Sequence, residues 1–291
     1  MKFGIREICN VVFKPKAAVK IGNTTFAAGQ PVLYIDSAKT STLEGASTTV
    51  YATGGRGNAR LISWEGERTL TFTVEDALLS PIGFSILSGA GLIKNSTETV
   101  HVHMTSSALV ANGSIDLSSV LDSGEAIDAT APLYISEVEP DGSLTGKTIA
   151  ASGSTAQAIT VAAANNGKTV FVDFYITKNG ANVSELQIDA ENFAGYYYVE
   201  ASTLVRDKNT GKDLPYEITL PNVKIQSNFT FNMAATGDPS TFTFTMDAMP
   251  GYTYFDKSRE VLCVMQLVED AEINDKNVDS VMQHPGDAES I

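Results

Sequence analysis

The sequence predicts a mainly β protein: two antiparallel sheets forming a barrel-like sandwich, one flanking α-helix, and an inserted region of short strands and loops. Three observations carry this expectation. Long stretches alternate apolar and polar residues, a single stretch switches to a helical period, and Gly, Asn, Asp and Pro punctuate the remainder. The switch falls at 61–91. Ile62, Trp64, Gly66, Arg68, Leu70, Phe72 and Val74 alternate with Ser63, Glu65, Glu67, Thr69, Thr71, Thr73 and Glu75, as in a strand with one buried face, which puts Trp64 and Phe72 in the core. Thr73 and Asp76 then resemble a capping box, and Leu78, Ile82 and Ile86 recur every four residues before Gly89 and Gly91, predicting a helix over 75–89.

The elements before this unit read as strands and one long loop, 36–59. It is rich in Ser, Thr, Ala and Gly and ends in Gly54-Gly55-Arg56-Gly57-Asn58. After the helix comes a strand around 99–104. Residues 105–165 lose strong patterning and contain no Arg, and they read as an insertion or small β-subdomain with turns at Asp141-Gly142 and Asn166-Gly167. Strand patterning resumes with Val170, Val172, Phe174 and Ile176 on one face. A hairpin follows, 196–205 with 216–220 around Asp207-Lys208-Asn209-Thr210-Gly211.

A second hairpin pairs Phe229, Phe231 and Met233 with Phe242, Phe244, Met246 and Ala248 across Thr236-Gly237-Asp238-Pro239, its other face being hydroxyls and amides. The nearly all-apolar 261–268 suits a central strand. The last stretch, 269–291, has seven acidic residues against one Lys and reads as an acidic extension. The domain expectation is therefore a sandwich made of 1–104 and 166–268, interrupted by 105–165 and followed by 269–291.

A length of 291 residues can bury a substantial core, and a net charge of −14 argues against a protein that binds nucleic acid by neutralising phosphates. Cys9 and Cys263 read as reduced thiols. The N-terminal residues lack the apolar run of a signal peptide and no stretch reaches membrane-spanning length, so synthesis in the cytoplasm without membrane insertion is expected.

Chemical motifs are scarce. Gly146-Lys147-Thr148 and Gly167-Lys168-Thr169 lack the earlier glycine a phosphate loop requires, because Asp141 and Ala162 stand there. His101 and His103 share a strand face, but the only other histidine is His284 in the acidic stretch, so no metal site is assigned. No serine elbow occurs, and Glu65 with Glu67 reads as a solvated stripe rather than an acid and base pair. No catalytic residue or cofactor is expected. Tyr196, Tyr197 and Tyr198 cannot all face one way on a strand, so at least one points away from the others, and their rings either serve an interface or cover the end of the core.

The loop ending at Gly54-Gly55-Arg56-Gly57-Asn58, the strand 61–73, the helix 75–89 and the strands around Asn228-Phe229-Thr230-Phe231 and Thr241-Phe242-Thr243-Phe244 together resemble the tail tube proteins of tailed bacteriophages, contractile tails especially. The likeness covers 1–104 and 166–268. It implies a virion structural protein whose six-membered rings stack into a conduit for DNA ejection, with sheath, tape-measure and tail-end proteins as partners and DNA passing without specific binding. It makes 36–59 the stacking loop, Arg56, Asn58 and Arg60 its contacts, and Glu65, Glu67, Thr69 and Thr71 candidates for the bore. Two other readings stand beside it: a virion decoration or adhesin β-sandwich using 105–165 for recognition, and a carbohydrate-active enzyme using Glu65, Glu67 or the two histidines.

Overall fold

The computed structural model describes residues 2–5, 7–94, 97–231, 233, 235–236 and 240–269. The chain forms two compact units, Met1–Leu92 with Leu186–Ile291, and Ile93–Glu185. The fold is mainly β and antiparallel, and no sheet among the described residues closes into a barrel.

The larger unit is built on a nine-stranded sheet. Its main path runs Leu33–Ile35, Asn10–Pro15, Tyr196–Asp207, Asp213–Ile225, Phe242–Ala248, Ala59–Asp76, Ala38–Gly54. Phe3–Ile5 adds to Tyr196–Asp207, and Val264–Leu267 adds to Asp213–Ile225. The two end strands of the path are neighbours in sequence, separated only by Asp36 and Ser37. Three residues of chain span at most about 11 Å, whereas the outer strands of a flat seven-strand path would stand about 29 Å apart. The sheet must therefore curl until its edges meet. Cys9, just before Asn10–Pro15, donates its N–H to Ser41 Oγ of Ala38–Gly54 at 3.2 Å, so a side chain joins the two ends of the path where no ladder does.

Period two in the sequence becomes two chemically distinct faces. Val11, Phe13, Val199, Ala201, Leu220, Phe72, Val74, Phe244 and Met246 are all buried on the concave core side. The helix Pro81–Ser88 packs Ile86 and Leu87 onto this core. It starts because Ser80 Oγ accepts the Gly83 N–H at 2.9 Å and Pro81 needs no partner for its nitrogen. It stops at Gly89, whose φ of +76° is left-handed and whose absent Cβ would lie 2.4 Å from the Phe193 carbonyl carbon.

The start predicted at 75 is corrected: the strand continues to Asp76, because Phe242–Ala248 and Ala38–Gly54 pair with it on both sides and satisfy its backbone groups. Asp76 is buried and accepts from the Ser37 hydroxyl and the Leu78 N–H, so it does not cap a helix.

Two further strand expectations change. Phe229 and Phe231 lie outside any strand and instead set their rings 4.9 and 5.1 Å from Phe84 of the helix. Phe242–Ala248 takes its neighbours from Asp213–Ile225 and Ala59–Asp76. Gly237, Asp238 and Pro239 of the expected turn lie outside the described residues, as do residues 270–291 of the acidic stretch. Within 261–268 only Val264–Leu267 is a strand, paired on one side and with Met265 56 % exposed, so it is an edge and not a central strand. The hairpin of Tyr196–Asp207 with Asp213–Ile225 forms as expected.

On the outward side of that hairpin Glu217 is half-buried, and burial, then the nearby Glu200, push its carboxyl above the usual range. Glu200 is held by Lys14. A carboxyl raised in the folded state contributes stability fully present below its unfolded pKa, about 4.3, and loses it as pH rises through the folded value. Glu217→Gln is therefore expected to raise the thermal midpoint at pH 7 and to give no gain at pH 4, as measured by thermal melts at the two pH values.

The smaller unit has its own core. A four-stranded sheet runs Leu144–Thr148, Tyr134–Val138, Thr169–Asn179, Thr99–Leu109, and a three-stranded sheet runs Ser114–Asp116, Ala158–Val161, Ala151–Ser154. Val170, Val172, Phe174 and Ile176 are fully buried with Ile115, Leu117 and Ile159. The strand expected at 99–104 extends to Leu109 and pairs along its whole length with Thr169–Asn179. The inserted unit is thus longer than 105–165, because strands assigned to the flanking sandwich close this second core.

Candidate functional site

The most distinctive surface of the larger unit is a hairpin arm formed by Ala38–Gly54 and Ala59–Asp76. Near its base, Phe72 and Val74 are in the core. Beyond the pair Gly45 and Leu70 every residue to the tip is exposed or half-exposed, on both faces. The nine residues 46–54 of the first strand, at about 3.3 Å each, make an arm of roughly 30 Å. The loop expected at 36–59 is corrected to the first strand of this arm plus its tip. Both faces meet water, so no apolar alternation selects one side, and a sequence of Ser, Thr, Ala and Gly reads as loop although it pairs as strand.

Gly55 to Asn58 make the tip, where Asn58 N–H donates to Gly55 O at 3.2 Å and Asn58 takes a left-handed φ of +50°. Arg56 is exposed there. Arg60 lies with its guanidinium 4.1 Å from the Tyr51 ring centre, a cation–π contact that stiffens one side of the tip. The three stacking candidates Arg56, Asn58 and Arg60 are thus brought together at the end of the arm.

A β-bulge divides the arm. Ser47 pairs with Arg68 but Thr49 pairs with Glu65, leaving one extra residue in the second strand. Gly66 makes it possible, because a Cβ there would stand 2.4 Å from Thr48 Oγ1, the atom that accepts the Glu67 N–H at 2.9 Å. One extra residue exchanges the faces. Trp64 and Ile62, expected on the core face with Phe72, lie opposite Val50 and Ala52 on the other face. Trp64 is 54 % exposed, so its placement in the core is corrected. The same shift separates the four bore candidates. Thr69 and Thr71 share the face away from the core, Glu65 stands on the reverse face with Thr49, and Glu67 sits in the bulge.

Thr71 belongs to a wider polar surface that sequence reasoning recovered only in part. Across three strands the register sets Thr71, Thr73 and Glu75 beside Asp247, Thr245 and Thr243, and beside Glu44, Thr42 and Thr40. Thr40 Oγ1 donates to Glu75 at 3.1 Å, Thr71 Oγ1 donates to Asp247 at 3.4 Å, and Gln226 Nε2 donates to Asp247 at 2.9 Å. The Thr241 and Thr40 hydroxyls hold the Glu75 carboxyl below its ordinary range. The alternation of Thr243, Thr245 and Asp247 carried this signal; Thr40 and Thr42 were hidden in the supposed loop.

The remaining candidates have local accounts. His101 Nδ1 is 2.7 Å from Asp128 Oδ2, and His103 Nε2 is 2.8 Å from Asp173 Oδ1. No cluster of three metal-ligating side chains occurs among the described residues, and His284 lies outside them. Lys147 and Thr148 end a short exposed strand, and Gly167 turns the chain, so neither Gly-Lys-Thr triplet forms a phosphate cradle. Tyr197 and Tyr198 are buried while Tyr196 is exposed, and burial pushes the Tyr197 hydroxyl up to about 12. Cys9 and Cys263 are free thiols. No helix of the described residues is long and apolar enough to cross a membrane.

The larger unit is thus a β-rich scaffold, a curled antiparallel sheet with one hydroxyl-rich face and a long exposed arm. The chain belongs to the YomU/Tube protein family, a phage tube-like family whose sequence profile matches residues 19–258. No curated protein matches the sequence.

Proposed function

We propose that this chain is a virion tail tube subunit, six copies forming a ring and rings stacking into the conduit through which DNA leaves the capsid. The observation that carries the reading is the arm, a roughly 30 Å two-stranded extension whose both outer edges offer unpaired backbone groups and whose apolar residues are left to solvent. Cyclic closure pairs such edges with a neighbouring copy and removes their liability to aggregate. Family membership supports a tube role, and the resemblance noted in the sequence supplies the ring of six.

Within this reading Arg56, Asn58 and Arg60 at the tip contact the adjacent ring. The face carrying Thr69, Thr71, Thr73 and Glu75 supplies the bore, where hydroxyls keep water and carboxylates repel the phosphate backbone, so DNA slides without adhering. Glu65, on the reverse face, and Glu67, in the bulge, lie off this face and are not assigned to the bore. Sheath, tape-measure and tail-end proteins would take the outer wall and the two tube ends, and no bond is made or broken. Negative-stain electron microscopy of the purified protein at high concentration tests the proposal: six-fold rings or hollow tubes are expected, and a persistent monomer would overturn it.

A further inference from the structure

The smaller unit presents a second surface that the tube reading does not use. Of the two faces of Thr169–Asn179, one is core; the other carries Phe171, Asp173 and Tyr175 at successive outward positions, about 7 Å apart. The register places Tyr134 directly beside Asp173, and Asp173 directly beside Thr105, so the phenol ring stands diagonally between the other two rings. Tyr134 is 60 % exposed. On the far side His103 faces Tyr175, their ring centres 5.3 Å apart, and holds Asp173 through Nε2.

We infer that this face binds a neutral carbohydrate chain. Aromatic rings offer electron-rich faces to the C–H groups of a pyranose, and each ring here borders a hydroxyl, carboxylate or imidazole able to meet the sugar hydroxyls. The His103 contact fixes one Asp173 oxygen and orients the other, so the polar group between the rings is positioned before a ligand arrives. His103, Thr105, Ser107 and Ser136 are the cross-strand neighbours of the platform residues, and Leu109 is an aliphatic residue beyond Phe171, less than the aliphatic walls a protein partner's hydrophobic anchor would want. Residues 93–185 hold ten acidic residues against four lysines and no arginine, which disfavours a sulfated or phosphorylated polymer. The platform is open along the strands, which suits an extended chain of sugars and a weak, repeatable contact.

The test is isothermal titration calorimetry of the full chain with three neutral hexasaccharides, β-1,4-linked glucose, β-1,4-linked N-acetylglucosamine and α-1,4-linked glucose, with heparin as the polyanionic comparison. At least one hexasaccharide is expected to bind with a dissociation constant at or below about 1 mM. Tyr134→Ala and Asp173→Asn are each expected to weaken it about 10-fold, while Trp64→Ala in the other unit leaves it unchanged. Circular dichroism melts establish that the variants fold. Absence of binding to all three sugars, full affinity in either folded variant, or preference for heparin would overturn the assignment. None of these outcomes bears on ring formation.

Discussion

Replacing residues 46–69 with Asn-Gly is expected to leave a folded subunit that no longer stacks into tubes. Gly45 and Leu70 are cross-strand partners, so a two-residue turn closes the shortened hairpin without altering its register. None of the removed side chains is in the core. The loss in stability should stay near or below 1 kcal/mol, a shift in melting temperature of no more than about 4 °C. Assembly is the quantity that collapses: isolated rings or free subunits replace tubes in electron micrographs. Tubes of ordinary length from the shortened chain would show that stacking lies elsewhere.

Phe244→Ala is expected to be the most damaging single change to the fold. The ring is 1 % exposed and sits at the centre of the curled sheet, 5.7 Å from the Phe13 ring and beneath the helix at Gly83. Truncating a buried phenylalanine costs about 3–5 kcal/mol in lost transfer energy and residual cavity, against a total stability of about 5–15 kcal/mol for a typical domain. A urea titration should show a much lower midpoint, and Phe244→Leu should recover most of it. A loss under about 1 kcal/mol would mean that the sheet relaxes around the gap.

The parts of this fold that were legible in the sequence are those where one face of a strand meets oil and the other meets water. Val170 to Ile176 and the hairpin of 196–205 with 216–220 belong to this class, and their alternation survives in the burial pattern except at Tyr197 to Val199, where the register shifts and three successive residues are buried. The arm was illegible because solvent bathes both of its sides and leaves no periodic constraint on residue type. Trp64 was misplaced because periodicity counts residues, whereas the ladder skips one at Gly66. The helix start moved from 75 to Pro81 because two neighbouring strands compete for residues 71–76 and win. At the polar surface, Thr69 and Thr71 could be found from their own strand. Thr40 and Thr42 could not, since their membership depends on a pairing between segments 31 to 35 residues apart.

The bulge at Gly66 makes the indole's direction independent of the core's direction. In an unbulged ladder Trp64 and Ile62 would face Tyr51 and Thr53 on the side chosen by Phe72; the extra residue sets them against Val50 and Ala52 on the other side. With it, the tip is set half a period out of phase. Adding one residue pair to the arm lengthens its reach by about 3.4 Å and reverses its orientation; adding two extends it and keeps the orientation. Reach and facing of the arm are thus linked through the number of pairs beyond the base, and only additions of two pairs change the first without the second.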